Sequence, residues 1–196
     1  MRWNWLARSE IGLLVAIDEE CAPELGPMTE ERVALADYDP AWPAMFAMLA
    51  ARAAAALAPI PVRVEHVGST SVPDLPAKPI IDLDVIVTAA DVPHAIERLA
   101  ALGYVHEGDH GLPGRQAFRW PPGEPRHHLY LCTPDTPAFR DHILFRDHLR
   151  SHPEVARDYA ALKRTLAARY AADRSAYQAG KAAFIDTITR RAALER

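Results

Sequence analysis

The chain has 196 residues, 49% of them apolar and 24% charged, which excludes a disordered or fibrous protein and leaves room for one core with an appended helical lobe, not two ordinary domains. With 22 Lys+Arg against 26 Asp+Glu the formal charge is -4, which excludes the whole-protein positive field of a general nucleic-acid binder. The two cysteines, Cys21 and Cys132, lie far apart without CxxC spacing, so neither a disulfide framework nor a cysteine zinc site is expected, and a reducing, cytoplasmic setting fits.

Residues 1–27 form a preface: a Trp-rich opening, the apolar run Ile11 to Ile17, then an acidic segment ending at Gly26-Pro27. The run is far shorter than the roughly 20 residues that span a bilayer, so no membrane anchor is expected. It lacks a convincing basic start and small-residue cleavage site, and Asp18, Glu19 and Glu20 follow it, so it does not read as a signal peptide. Met28 reads as the start of the domain proper, 28–196, with 1–27 an extension or an over-called start; a packed extra helix is the competing reading.

Asp39-Pro40 reads as a helix cap and first helical residue, and Trp42, Met45, Phe46, Leu49, Ala53 and Leu57 repeat at helical spacing to make one buried stripe. Val62 to Val67 is a first strand running into the turn Gly68-Ser69-Thr70-Ser71, and Ile80 to Val87 is a second, strongly β-prone strand. Asp91 is placed to cap a helix with Ile96, Leu99 and Leu102 inward, ended by Gly103. Tyr104 to Glu107, Gln116 to Trp120 and His127 to Cys132 complete a sheet core of about 60–132.

Beyond Pro137 the pattern predicts three helices, one to about Arg150, one opened by Pro153 and one from about Asp173, forming a helical lobe of about 137–194. In the second, Val155, Tyr159, Leu162, Leu166 and Tyr170 share a face. The expected class is α/β (α+β), a small mixed sheet with flanking helices and a C-terminal lobe walling a cleft.

Strand alternation puts Ile80, Asp82, Asp84 and Ile86 on one face of the second strand. Two carboxylates there can converge on one divalent ion or two adjacent ones, and Mg²⁺ takes a few carboxylates together with water and phosphate oxygens. A wet acidic face is the plain alternative; against it, Ile80 and Ile86 flank the pair, and buried charge needs a partner. The glycine turn before it can cradle phosphate through backbone N–H groups and hydroxyls, or be an ordinary strand-ending turn. Neither a P-loop nor GxGxxG is present.

Taken together, His66-Val-Gly-Ser-Thr-Ser-Val-Pro-Asp-Leu-Pro-Ala-Lys-Pro-Ile-Ile-Asp-Leu-Asp-Val85 resembles the signature of the GrpB family, which is assigned to the nucleotidyltransferase superfamily. Asp37-Tyr38-Asp39-Pro40-Ala41-Trp42-Pro43, His127-His128-Leu129, Leu144 to Arg150, Tyr177, Lys181 and Phe184 look like further landmarks, so the resemblance spans about 33–190. It implies that Gly68, Ser69 and Thr70 hold the triphosphate of an NTP such as ATP while Asp82 and Asp84 hold Mg²⁺, for transfer of a nucleoside monophosphate to an unidentified acceptor. Much of the wider superfamily has a third carboxylate on a later strand. The corresponding strand here offers His127, His128 and Tyr130, which makes His128 the candidate ligand or base and leaves a nucleotide-binding or regulatory module without turnover as the alternative, ahead of a structural interaction module.

Three cationic features complete the set. Lys181 lies on the face of Tyr177, Phe184 and Ile188, where it can snorkel or reach a phosphate, with Tyr177 stacking on a base. Lys78, between the turn and the Asp-x-Asp strand, is a further candidate for contact with the nucleotide's phosphates. Arg146 and Arg150, at i, i+4, read as a solvated pair or an ion-pair partner for Asp147.

Overall fold

The structure, a computed structural model, describes residues 32–196, so the reading of 1–27 as an extension lies outside the described residues. The elements run α1 (Trp42–Leu57), β1 (Arg63–Val67), a 3-10 turn (Ser69–Ser71), β2 (Ile81–Ile86), α2 (Val92–Ala101), β3 (Val105–Gly108), β4 (Arg115–Arg119), β5 (His127–Cys132), α3 (Pro137–Ser151), α4 (Pro153–Arg169) and α5 (Arg174–Leu194). Expected and observed elements agree in type and order, with ends differing by a residue or two. Asp39 accepts the Ala41 N–H at 2.8 Å, but the helix begins only at Trp42, with Pro43 inside its first turn. Asp91 does not cap α2 through its side chain; its carboxylate instead accepts from the Thr88 hydroxyl at 2.6 Å.

The five strands lie in the order β1-β2-β5-β4-β3, every pair antiparallel except the central β2 and β5. That parallel pair requires a long return connection, which α2 and the β3–β4 hairpin supply. Its register sets Asp82 beside His128 and Asp84 beside Tyr130 on one face.

The opposite face is apolar. Leu83, Val85, Leu129 and Leu131 pack there against Leu49, Ala53 and Leu57 of α1 and Ala95 and Leu99 of α2, all nearly inaccessible. These side chains alternate with the polar ones along the same strands, so burying the apolar set turns the carboxylates, imidazoles and Tyr130 to the other side. The helical lobe covers that second side.

Arginines fasten the lobe to the sheet. The buried Arg146 guanidinium donates to Glu65 at 2.7 Å and to the His66 carbonyl at 3.0 Å as well as to Asp147 at 2.8 Å. Arg150 donates from Nε and one terminal nitrogen to the Ser71 carbonyl, at 3.0 and 2.7 Å. The expected Asp147 pairing is present at Arg146, which is buried against β1 and satisfied by carboxylates and a carbonyl, while Arg150 is exposed yet fastened to the Ser71 carbonyl. Deeper in the lobe, α5 crosses α4 at Gly180, where a Cβ would come within 2.5 Å of Leu166 Cδ2.

Candidate active site

At Gly68 the chain leaves β1 with φ 71 and ψ -174, a conformation open essentially to glycine alone. A Cβ there would lie 2.1 Å from Asp82 Oδ2, so the turn and the Asp-x-Asp strand touch through the missing side chain. Hydroxyls brace the turn from within. Ser71 donates to the Gly68 carbonyl at 2.6 Å, and Thr70, 1% exposed, pairs with His66 Nε2 at 3.1 Å and donates to the Ile80 carbonyl. Thr70 thus spends its hydroxyl in the interior, and Ser69 is the hydroxyl left beside the cleft.

Each aspartate carries a histidine. Asp82 Oδ1 lies 2.7 Å from His128 Nδ1 and Asp84 Oδ2 lies 2.8 Å from His142 Nδ1. An ionised carboxylate only accepts, so both Nδ1 atoms bear hydrogen, and Nε2 is the basic nitrogen of each neutral ring. Asp84 is fully buried, and its Oδ1 has no hydrogen-bond partner. Burial opposes charge on His142, but the adjoining Asp84 carboxylate outweighs it and holds the imidazole pKa above its ordinary value. Tyr130 stands between the two imidazoles, its ring centroid 6.2 Å from each, with the Arg115 guanidinium over its face at 4.5 Å.

A cleft of about 490 Å³ opens above this floor, lined by Ser69, Thr70, Lys78, Asp82, His128, Tyr177 and Lys181 among the residues singled out from sequence. Gly68 and Asp84 sit directly behind it, in contact with Asp82 and with the cleft-lining His142. Arg115, Arg126, Lys163 and Arg174 add cationic groups, so the cleft is basic although the chain as a whole is acidic.

Two lysines reach it from the lobe. Lys163, 1% exposed, donates from Nζ to Ser69 Oγ at 3.0 Å and to the Pro76 carbonyl, with its ammonium 4.7 Å from the Tyr159 ring centroid. Burial, then the charges of Lys181 and Arg164, push its pKa down to about 7. Lys181 is brought down to about 8, chiefly by burial and then by Lys78. Its Nζ lies 4.5 Å above the Tyr177 ring. Tyr177 itself is 2% exposed and packed with Val33 and Leu166, so it supports Lys181 and has no open face on which a base could stack.

The sequence reading missed His142, Lys163, Arg115 and Arg174. Two of these carried a signal. Tyr159, Lys163, Leu166 and Tyr170 fall at i, i+4, i+7 and i+11, the same spacing that singled out Lys181 among Tyr177, Phe184 and Ile188. His142 sits between Phe139 and Arg146 on the inward stripe of α3. His127, by contrast, faces the apolar side, where it is wholly buried between the Tyr104 hydroxyl and the Pro125 carbonyl.

The donor set suits a hard divalent cation. Each carboxylate has one oxygen steadied by an imidazole and a second that the histidine does not use, and the unpartnered Oδ1 of Asp84 is a buried acceptor lacking a donor. Oxygen ligands of this kind are what Mg²⁺ takes.

Residues 32–191 match the family model described as GrpB protein. The chain is 35% identical to the conserved protein GrpB of Enterococcus faecalis, whose crystal structure superposes with a TM-score of 0.75 over 83% of this chain and 98% of that one. It is 41% identical over 167 residues to the UPF0157 protein PA4798 of Pseudomonas aeruginosa, covering 83% of this chain and 69% of that protein. Against the UPF0157 protein YqkA of Bacillus subtilis the identity is 35% over 159 residues, 81% of this chain but 46% of YqkA, so the chain spans under half of that relative's length. By the extent of these matches, the chain belongs to the GrpB protein family.

Proposed function

We propose that this protein is a Mg²⁺-dependent nucleotidyltransferase that transfers a nucleoside monophosphate from an NTP, with ATP the natural first donor to test, to an unidentified acceptor bearing a nucleophilic group, releasing pyrophosphate. The observation that carries the reading is the contact of the Asp82 carboxylate with Gly68 at the floor of a basic cleft. That contact supports the reading because it would let a phosphate chain at the turn and a cation at the carboxylate meet.

Asp82 and Asp84 would hold the ion, which would supply neutralisation of the phosphate charge. The chain's own groups do the rest. Ser69, Lys163 and Lys181 receive the anionic donor: Lys163 is already fixed against Ser69, so little reorganisation is needed when phosphate arrives. His142 orients Asp84, and Tyr130 and Arg115 wall the histidines from the side. His128, with its Nδ1 hydrogen held by Asp82, keeps Nε2 as the base that takes the acceptor's proton.

The test is incubation of the protein with labelled NTPs, Mg²⁺ and a cell extract, wild type beside Asp82→Asn/Asp84→Asn. Label transfer lost in the variant supports the enzyme. Mg²⁺-dependent NTP binding with no transfer across a broad acceptor screen shows a binding module instead, and transfer that persists without both aspartates refutes the mechanism.

A further inference from the structure

A second group of metal-binding side chains stands away from the cleft, at the corner where α3 gives way to α4. His148 and His152 are four residues apart, a spacing the backbone maintains across the break through the bond from His152 N–H to the His148 carbonyl at 2.9 Å. Their rings lie nearly parallel with centroids 3.9 Å apart. Glu195, just past the end of α5, brings its Oε2 to 3.2 Å from His148 Nδ1. One ligand atom from each of the three residues falls within 4.8 Å of the others.

We propose that His148, His152 and Glu195 form a second metal site, for a borderline divalent ion of the Zn²⁺ class, which ties the C-terminal end of α5 to the α3–α4 corner. Two imidazoles and one carboxylate make a donor set that Zn²⁺ takes with a water as fourth ligand, whereas Mg²⁺ prefers oxygen donors. His152 Nδ1 faces the His148 carbonyl at 3.0 Å, an acceptor, so that ring keeps its lone pair on Nε2, while His148 turns Nδ1 towards Glu195 Oε2 at 3.2 Å and offers that nitrogen to the ion.

The geometry needs little adjustment. Tetrahedral bonds of about 2.0 Å put ligand atoms roughly 3.3 Å apart, and the His148–Glu195 separation is already 3.2 Å. Glu195 is exposed, and His152 is half-buried. The charged groups facing the cluster are Arg191, whose Nε holds the other Glu195 oxygen at 3.0 Å, and the Asp147–Arg196 pair at 3.2 Å. Arg191 offsets part of the Glu195 charge, so the affinity rests mainly on the imidazoles.

The experiment uses the full chain carrying Asp82→Asn/Asp84→Asn, which silences the cleft, titrated with Zn²⁺ and with Co²⁺ as a spectroscopic probe. One bound equivalent is expected, with a visible Co²⁺ band and a Tm that rises with Zn²⁺ but not with equal Mg²⁺. His152→Gln or Glu195→Gln in the same background is expected to weaken binding at least tenfold and abolish the Tm rise. In the otherwise wild-type chain the same substitutions remove one equivalent from the total, a readout that does not depend on the doubly substituted cleft folding normally. Zn²⁺ binding of unchanged affinity in both variants, or no Zn²⁺ bound once the cleft is silenced, overturns the proposal and leaves the reading of the cleft untouched.

Discussion

Replacing Lys163 by methionine tests the central electrostatic feature of the cleft. A lysine in the unfolded chain titrates near 10.5, while burial holds the folded group near 7. Between these values the unfolded chain binds the extra proton, so stability rises with pH across this window, at up to about 1.4 kcal/mol per pH unit. Below pH 7 both states are protonated and the slope vanishes. From pH 7.5 to 9 the wild type therefore gains about 2 kcal/mol that Lys163→Met lacks. Lys181, near 8, contributes its own slope in both proteins and cancels in the difference. The assay is guanidinium chloride unfolding at constant ionic strength from pH 6.5 to 9, followed by intrinsic fluorescence. A bound triphosphate restores the lysine's charge, so calorimetry in buffers of different ionisation enthalpy should show proton uptake on MgATP binding near pH 8, much reduced in the variant. Parallel stability curves for the two proteins refute the account of Lys163 as a charge held in the interior.

Two glycine substitutions probe close approaches. Gly68→Ala forces a side chain into a glycine-only conformation at a cost of about 2 kcal/mol, which for a chain of this size lowers Tm by roughly 4–8 °C. It also pushes Asp82 off His128, so divalent-dependent NTP binding is lost even where the protein stays folded; an unchanged Tm contradicts this. Gly180→Ala, ordinarily worth about 1 kcal/mol of added helix stability, is expected instead to destabilise by about 1–3 kcal/mol through overpacking against Leu166. The penalty should shrink in a Leu166→Ala background, and a double-mutant cycle with no coupling rules the contact out.

What was legible in the sequence follows the range of the forces involved. Strand alternation is local, and it put Asp82 and Asp84 on one face correctly because Ile81, Leu83 and Val85 can only be buried together if the aspartates turn the other way. The fate of Tyr177 is set by distant parts of the chain. Its hydroxyphenyl ring reads equally well as a base-stacking platform or as core, and only the packing of Val33 and Leu166 around it, with Lys181 above, decides for core. Arg146 and Arg150 were legible in part: the Asp147 pairing is local, but the burial of Arg146 and the tie of Arg150 to Ser71 depend on partners from about 80 positions earlier.

Lys163 and Lys181 show how such residues can be found. Each interrupts an otherwise apolar helical stripe at the same spacing, and a charge on a buried stripe is costly unless something meets it. For Lys163 that something is a hydroxyl and a carbonyl from the loop between β1 and β2, donated across roughly 90 residues of sequence. The helix stripe thus names the residue, and the cost of its burial requires a polar counterpart that a sheet on its own apolar side could not provide. Because α4 and α5 place both lysines on the polar side of the sheet, the lobe and the Asp-x-Asp strand line one cleft, and the half proposed to receive phosphate is built by the lobe as much as by the glycine turn.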